Sequence, residues 1–174
     1  MPFKSGLIVK DRGWNKIIRE LKRTDKSYVK VGVQEGEMHK PSSKGSQPTK
    51  TTSMVTIAVA NEFGVSTPSG SRSGFSTVGV PERSFIRSTT DEQKQHLIAL
   101  KAKAIRDITS GKTTVRRQLK KIGTDLGGEI KKKIKNLRTP PNAASTIKAK
   151  GSSNPLMDTG QLRASIRHQV HVIE

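Results

Sequence analysis

At 174 residues, with 31% hydrophobic and 3% aromatic content, the chain suits one domain over residues 1–174 with a modest core and surface left for neighbours to cover. Its 33 Lys and Arg against 14 Asp and Glu give a formal net charge of +19, which repels itself in a lone monomer and favours polyanions or acidic protein surfaces as partners. The lack of cysteine excludes disulfides, thiolate catalysis and thiolate-bound zinc and fits synthesis in a reducing compartment; the lack of a long apolar run or leader-like start is what a chain neither secreted nor membrane-spanning would have.

Phe3 to Lys10 offers Leu7, Ile8 and Val9 to a short strand, and Asp11 offers a helix cap. Trp14, Ile17, Ile18 and Leu21 then fall at the spacing of one helical face. From Ser27 to Gln34 the period changes to two, with Val29, Val31 and Val33 on one side, which predicts a half-buried strand. Glu35 to Ser53 is rich in Ser, Thr, Lys, Pro and Gly and reads as a mobile loop, because it has too little apolar surface to offset the entropy of ordering.

Met54 to Phe63 reads as a short helix closed by Gly64, although Val55, Ile57 and Val59 also fit a strand. Val65 to Gly79 repeats the Ser, Gly, Thr and Pro bias and predicts a second flexible excursion. Thr90, Asp91 and Glu92 open a helix with Leu97, Leu100, Ala104, Ile105 and Ile108 at intervals of three and four, ended by Ser110-Gly111. A longer helix starts at Thr113, carries Val115, Leu119, Ile122, Leu126, Ile130, Ile134 and Leu137, and stops at Pro140-Pro141. The two form an antiparallel helical hairpin. Lys133 falls close to the apolar stripe, so either its stem packs with the amine in water or the stripe drifts. Asp158 caps a last short helix through Leu162 and Ile166, and Ile166, His168, Val170 and Val172 alternate as a strand. The expected fold is α+β: a small, mostly antiparallel sheet packed against a long helical hairpin, with flexible loops at 35–53 and 65–79.

Catalytic chemistry finds little footing. Asp158-Thr159-Gly160 matches the aspartic-protease motif, but a second copy would have to come from a homodimer, and the flanking residues favour a helix cap. His39, His96, His168 and His171 lack metal-ligand spacing, Gly70 to Gly74 lacks the setting of a phosphate loop, and no serine sits in a nucleophile elbow. These residues predict a non-enzyme without metal or cofactor. The charge is concentrated instead: from Lys112 to Lys150, twelve Lys or Arg face two acids, +10 of the total. Arg116, Arg117, Lys120, Lys121, Lys131, Lys132 and Lys135 form either a solvated helix face or a surface for phosphates or an acidic partner, with almost no aromatics for base stacking.

Four blocks occur in order: Asn61-Glu62-Phe63-Gly64; Val80-Pro81-Glu82-Arg83-Ser84-Phe85-Ile86-Arg87; Pro140-Pro141-Asn142 through Gly151; and Pro155-Leu156-Met157-Asp158-Thr159-Gly160-Gln161-Leu162 through Ile166. Spread over roughly residues 29 to 172, this pattern resembles the tail-completion and neck proteins of tailed phages and Mu-like prophages. The resemblance implies a structural virion protein, made in the bacterial host cytoplasm. It would assemble as a homo-oligomeric ring at the head–tail junction, between neighbouring neck, connector or tail proteins, and let double-stranded DNA pass. Within it Pro81, Phe85, Asp158, Gly160 and Leu162 read as architecture: Pro81 sets the entrance of a Phe85-Ile86 anchor under the hairpin, and Ser145 caps a short helix over Thr146 to Lys150. The alternatives are a non-specific DNA-binding protein acting on packaged DNA, or a tail terminator or collar protein.

Overall fold

The computed structural model describes residues 13–36, 38–39, 52–68 and 77–173. The strand expected in Phe3 to Lys10, the cap at Asp11 and most of the 35–53 loop lie outside them. Helix α1 (Trp14–Thr24) leads by a short turn into strand β1 (Tyr28–Val33). Helix α2 (Met54–Phe63) is followed by the strand pair β2 (Val65–Pro68) and β3 (Thr77–Val80). Helices α3 (Arg87–Glu92), α4 (Lys94–Thr109) and α5 (Val115–Asn136) follow. Short helices α6 (Ala144–Lys150) and α7 (Gln161–Ala164) precede strand β4 (Ile166–His171). The fold is α+β, with small antiparallel strand pairs packed with long helices.

The period-two pattern does its expected work. β1 and β4 pair antiparallel, with Val29 opposite Val170, Val31 opposite His168 and Val33 opposite Ile166, so the alternating residues of both strands share one face. That face lies on α5, whose stripe sends Val115, Ile122, Ile130 and Ile134 inward. The approach is close because α5 carries glycine there: a Cβ on Gly123 would stand 2.8 Å from Val29 Cγ2 and 3.0 Å from His168 Cβ. Phe85, Ile130 and Ile134 are wholly inaccessible and join Met54, Ala58, Leu156, Leu162 and Ile166 in the main core. Thus the Phe85 anchor packs against the second half of α5. Among the described residues no helix is long and apolar enough to cross a membrane.

α4 and α5 run antiparallel, since Glu92 beside α4's start pairs with Lys133 late in α5, and His96 pairs with Asp125 at 2.9 Å. Lys133 therefore keeps its amine at the surface, beside Glu92, while part of its stem is covered.

Several expectations need correction. Val65 to Gly79 is not wholly an irregular excursion, because Val65–Pro68 and Thr77–Val80 form an antiparallel ladder with Val65 opposite Val80. Composition judged each segment alone, whereas pairing supplies backbone partners that neither has by itself. The helix expected from Thr90 begins at Arg87, because its first N–H groups are capped from another helix, as described below, and it breaks at Gln93. Asp158 does not cap α7: the cap residue is Gly160, at φ 79°, a left-handed conformation that glycine adopts without a Cβ penalty, and Asp158 lies exposed before it. Ile166 starts β4 and does not extend α7. Ser145 does not cap α6 either, since the chain turns into the helix two residues earlier, at Ala143. Finally, α1 packs off-centre: Glu20 is its buried residue, while Trp14 is 67% exposed. At the base of the 35–53 loop, Met38 bridges Ser53 and the His39 N–H donates to the Thr52 carbonyl at 2.9 Å.

Candidate functional site

α5 is a helix for reasons of sequence: an unbroken three-and-four stripe, a Thr114 hydroxyl that accepts the Arg117 N–H at 3.4 Å, and prolines beyond its end. Of the seven expected basic residues, Arg116, Arg117, Lys120, Lys121, Lys132 and Lys135 are exposed and Lys131 is half-buried. Helical arithmetic places Arg117, Lys121, Lys132 and Lys135 opposite the buried stripe, over roughly 27 Å of helix. Arg116, Lys120 and Lys131 flank that ridge. The surface is not continuous: between Lys121 and Lys131 the helix carries Thr124, Asp125, Gly128 and Glu129 and no cation. Two basic clusters result, one at each end of α5.

The acids between them are engaged. Glu129 pairs with Lys132 at 2.6 Å, and this hydrogen bond and charge raise the Lys132 amine's pKa; Asp125 pairs with His96. The first cluster is costly in its place. Arg116 and Arg117 sit in the opening turn of α5, where the helix dipole disfavours cations. An offset comes from Glu20, whose buried carboxylate reaches from α1 to accept the Val115 N–H at 2.8 Å and also holds Arg23 at 3.0 Å.

A second polar assembly brings the four sequence blocks together. Glu62, buried on α2, accepts five hydrogen bonds: from the Ser84 hydroxyl, from the N–H groups of Phe85, Ile86 and Arg87 at 2.8–2.9 Å, and from Arg87 Nε. Burial pushes this carboxyl's pKa up, but the N–H groups of Ile86, Arg87 and Phe85 and the Ser84 hydroxyl outweigh it and hold the value below the usual one. Arg87 also stacks over the Phe63 ring at 4.5 Å and binds Glu82 at 2.6 Å.

Next to it, buried Arg83 donates from Nε to the Pro140 carbonyl at 2.9 Å and from its terminal nitrogen to the Pro141 carbonyl and Asn142 Oδ1, both at 3.1 Å. Its own N–H donates to the Asn61 carbonyl at 2.7 Å. Asn142 donates to the Asn154 carbonyl, and Asn154 in turn accepts the Leu156 N–H and donates to the Lys135 carbonyl at the end of α5. Leu156 and Leu162 complete the arrangement from the core side, and Pro81 sits exposed at its edge.

Sequence reading quoted Glu62 and Arg83 within their blocks but gave neither a role, and it missed Glu20. The available signal was a single acid inside the apolar run Met54 to Phe63, and a lone acid among the cations of α1.

Between α2 and α7 lies a polar cleft of about 210 Å³ that includes His39, Asn61, Lys150, Asp158 and Gln161. Burial pushes the Lys150 amine's pKa down against the opposing charge of Asp158, and the amine donates to the Asn154 and Pro155 carbonyls. Among the described residues no three His, Asp or Glu side chains gather as a metal site requires. No protein-family model, curated protein or solved structure matches the chain.

Proposed function

We propose that the chain is a structural subunit of a tailed-phage particle, belonging to the neck or tail-completion machinery. In this reading it forms a homo-oligomeric ring in the virion, seated between neck, connector and tail proteins. The observation that carries the proposal is the convergence of the four blocks on one interlocked network, in which Glu62 holds Phe85, Arg83 holds Asn142, and Asn142 reaches Leu156 through Asn154, with no catalytic constellation among the described residues at its centre. A pattern of residues whose shared task is to lock loops and helix ends together suits an assembly subunit. Its test is to purify the chain and examine it by mass photometry and negative-stain microscopy, alone and with lysate of the parent phage. Closed rings, or incorporation into tails or necks, are expected. A protein that stays monomeric and is absent from purified particles would overturn the proposal.

The two basic clusters favour a second element of the reading, that this face borders passing duplex DNA. Clusters separated by a cation-free middle attract phosphates without gripping one continuous stretch. Reversing Arg117, Lys121, Lys132 and Lys135 to Glu should leave the circular dichroism spectrum unchanged and abolish salt-sensitive retardation of duplex DNA in gels. Retention of DNA binding by that variant would remove the DNA-facing role from α5.

A further inference from the structure

We propose that the groove between α1 and the chain's final residues docks an acidic, amphipathic segment of a different protein. The groove, of about 520 Å³, has a floor of Ile18 and Ile173 and a cationic rim of Arg19, Lys22, Arg23 and Lys26. Asp25 is the one acid on that rim. Two independent features shape it.

The first is the off-centre packing of α1. Its apolar stripe was built to face inward, yet Glu20 takes the buried position. The stripe is rotated partly into solvent, leaving Trp14 67% and Leu21 37% exposed, and Ile173, after β4, is 50% exposed. Residues four apart on a helix are neighbours, so Trp14 stands beside Ile18 at the edge of the floor. The second feature is charge. α1 carries Lys16, Arg19, Lys22 and Arg23 against a single acid, and that acid is turned inward onto Val115 and Arg23. The outer face of the helix is therefore cationic beside an apolar floor.

These features select the occupant. Duplex DNA would satisfy the rim but offers nothing to bury on Ile18 and Ile173. A second copy can join through other faces, but at this groove it offers only 14 acids against 33 Lys and Arg, a poor match for a cationic rim. An amphipathic segment with acids on one face and aliphatic residues on the other satisfies both rim and floor, in the manner of a helix laid in a groove.

The test uses the full chain and a synthetic peptide with leucines at helical spacing on one face and glutamates on the other. Trp14 is the chain's single tryptophan, so its emission reports on the groove's edge directly. Binding should shift that emission to shorter wavelength. Arg19→Glu with Lys22→Glu should weaken binding at least tenfold, as should Ile18→Ser, with helicity checked by circular dichroism. A leucine-free polyglutamate peptide of equal charge should bind at least tenfold more weakly than the amphipathic one. The proposal is overturned if the polyglutamate peptide or duplex DNA binds as well as the amphipathic peptide, if the rim reversal changes nothing, or if no peptide binds. These outcomes do not depend on ring formation, so they stand or fall apart from the assembly reading.

Discussion

Glu62 and Glu20 perform the same chemical task towards opposite ends of α5, and they do it under different conditions. Each is a buried carboxylate that crosses from one helix to satisfy N–H groups at the start of another. Glu62 uses both oxygens for five hydrogen bonds, beside a core whose Phe85, Ile130 and Ile134 are fully enclosed. Glu20 accepts from Val115 and Arg23, beside an apolar groove of about 410 Å³ that Val29, Leu119 and Ile122 help to line. One end of the long helix is locked and dry. The other is held by the Glu20 and Thr114 caps beside that open groove, so opening free energy should fall along α5 from its second half to its first.

The sharpest way to break the comparison is at Glu62. Glu62→Ala leaves the Ser84 hydroxyl and three backbone donors without their acceptor, while Arg87 keeps Glu82, and should cost about 2–4 kcal/mol for the orphaned buried donors. Chemical denaturation would measure it, and a loss below about 1 kcal/mol would mean that the node carries little. The same residue sets a pH dependence. Because its folded-state carboxyl is held below the ordinary range, its contribution is present above the unfolded carboxylate's titration and is lost as pH falls through the folded value. The stability gap between the native chain and Glu62→Gln should therefore narrow as pH falls through the carboxylate range.

At the open end, Glu20→Ala should cost less, about 1–3 kcal/mol for the orphaned Val115 N–H and the lost neutralisation of Arg116 and Arg117. Hydrogen exchange would sharpen the contrast. Amides of α1 and the first turns of α5 should exchange faster than those around Ile130 and Ile134, and the variant should widen the difference. Equal protection at both ends would remove the distinction.

Much of this fold was legible in the sequence, and most of the illegible parts share a cause. Periodicity found α1, β1, α4, α5 and β4, and an apolar run closed by glycine found α2; α5 writes its burial into its own residues, as Ile122, Ile130 and Ile134 show, whereas α1 buries Glu20 instead of its stripe. Besides the local caps at Ser145 and Asp158, what failed was supplied from a distance. The start of α3 at Arg87 depends on Glu62, 25 positions earlier, and the start of α5 leans on Glu20, 95 positions before Val115. The strands at Val65 and Val80 exist through each other. Six of the seven basic residues lie exposed, and their division into two clusters, with no cation between Lys121 and Lys131, is written in the sequence; the pairing of the intervening acids is not.

The packing of α5 on the sheet offers a finer test within one helix. Alanine at any helical glycine should gain about 1 kcal/mol of helix propensity. At Gly128 nothing lies within 4 Å of the new Cβ, so Gly128→Ala should stabilise by about that amount. At Gly123 the Cβ would press on Val29 and His168, and overpacking typically costs about 1–3 kcal/mol, so Gly123→Ala should be neutral to destabilising. If both variants gain equally in thermal melts, the close approach of α5 to β1 and β4 is wrong.

The smallest effect is expected at Asp158, and its smallness is informative. As a helix cap it would contribute about 0.5–2 kcal/mol, lost on mutation to alanine. In the structure Gly160 occupies the cap position, α7 has no side-chain cap, and Asp158 stands exposed, touching the fold's energetics only through its charge near Lys150. Removing an exposed charge of this kind changes stability by at most about 0.5 kcal/mol. Asp158→Ala should therefore melt within about 0.5 kcal/mol of the native chain. A loss of 1 kcal/mol or more would show that the carboxylate holds a backbone donor after all, and would add the 158–162 turn to the polar contacts that lock the Glu62 end.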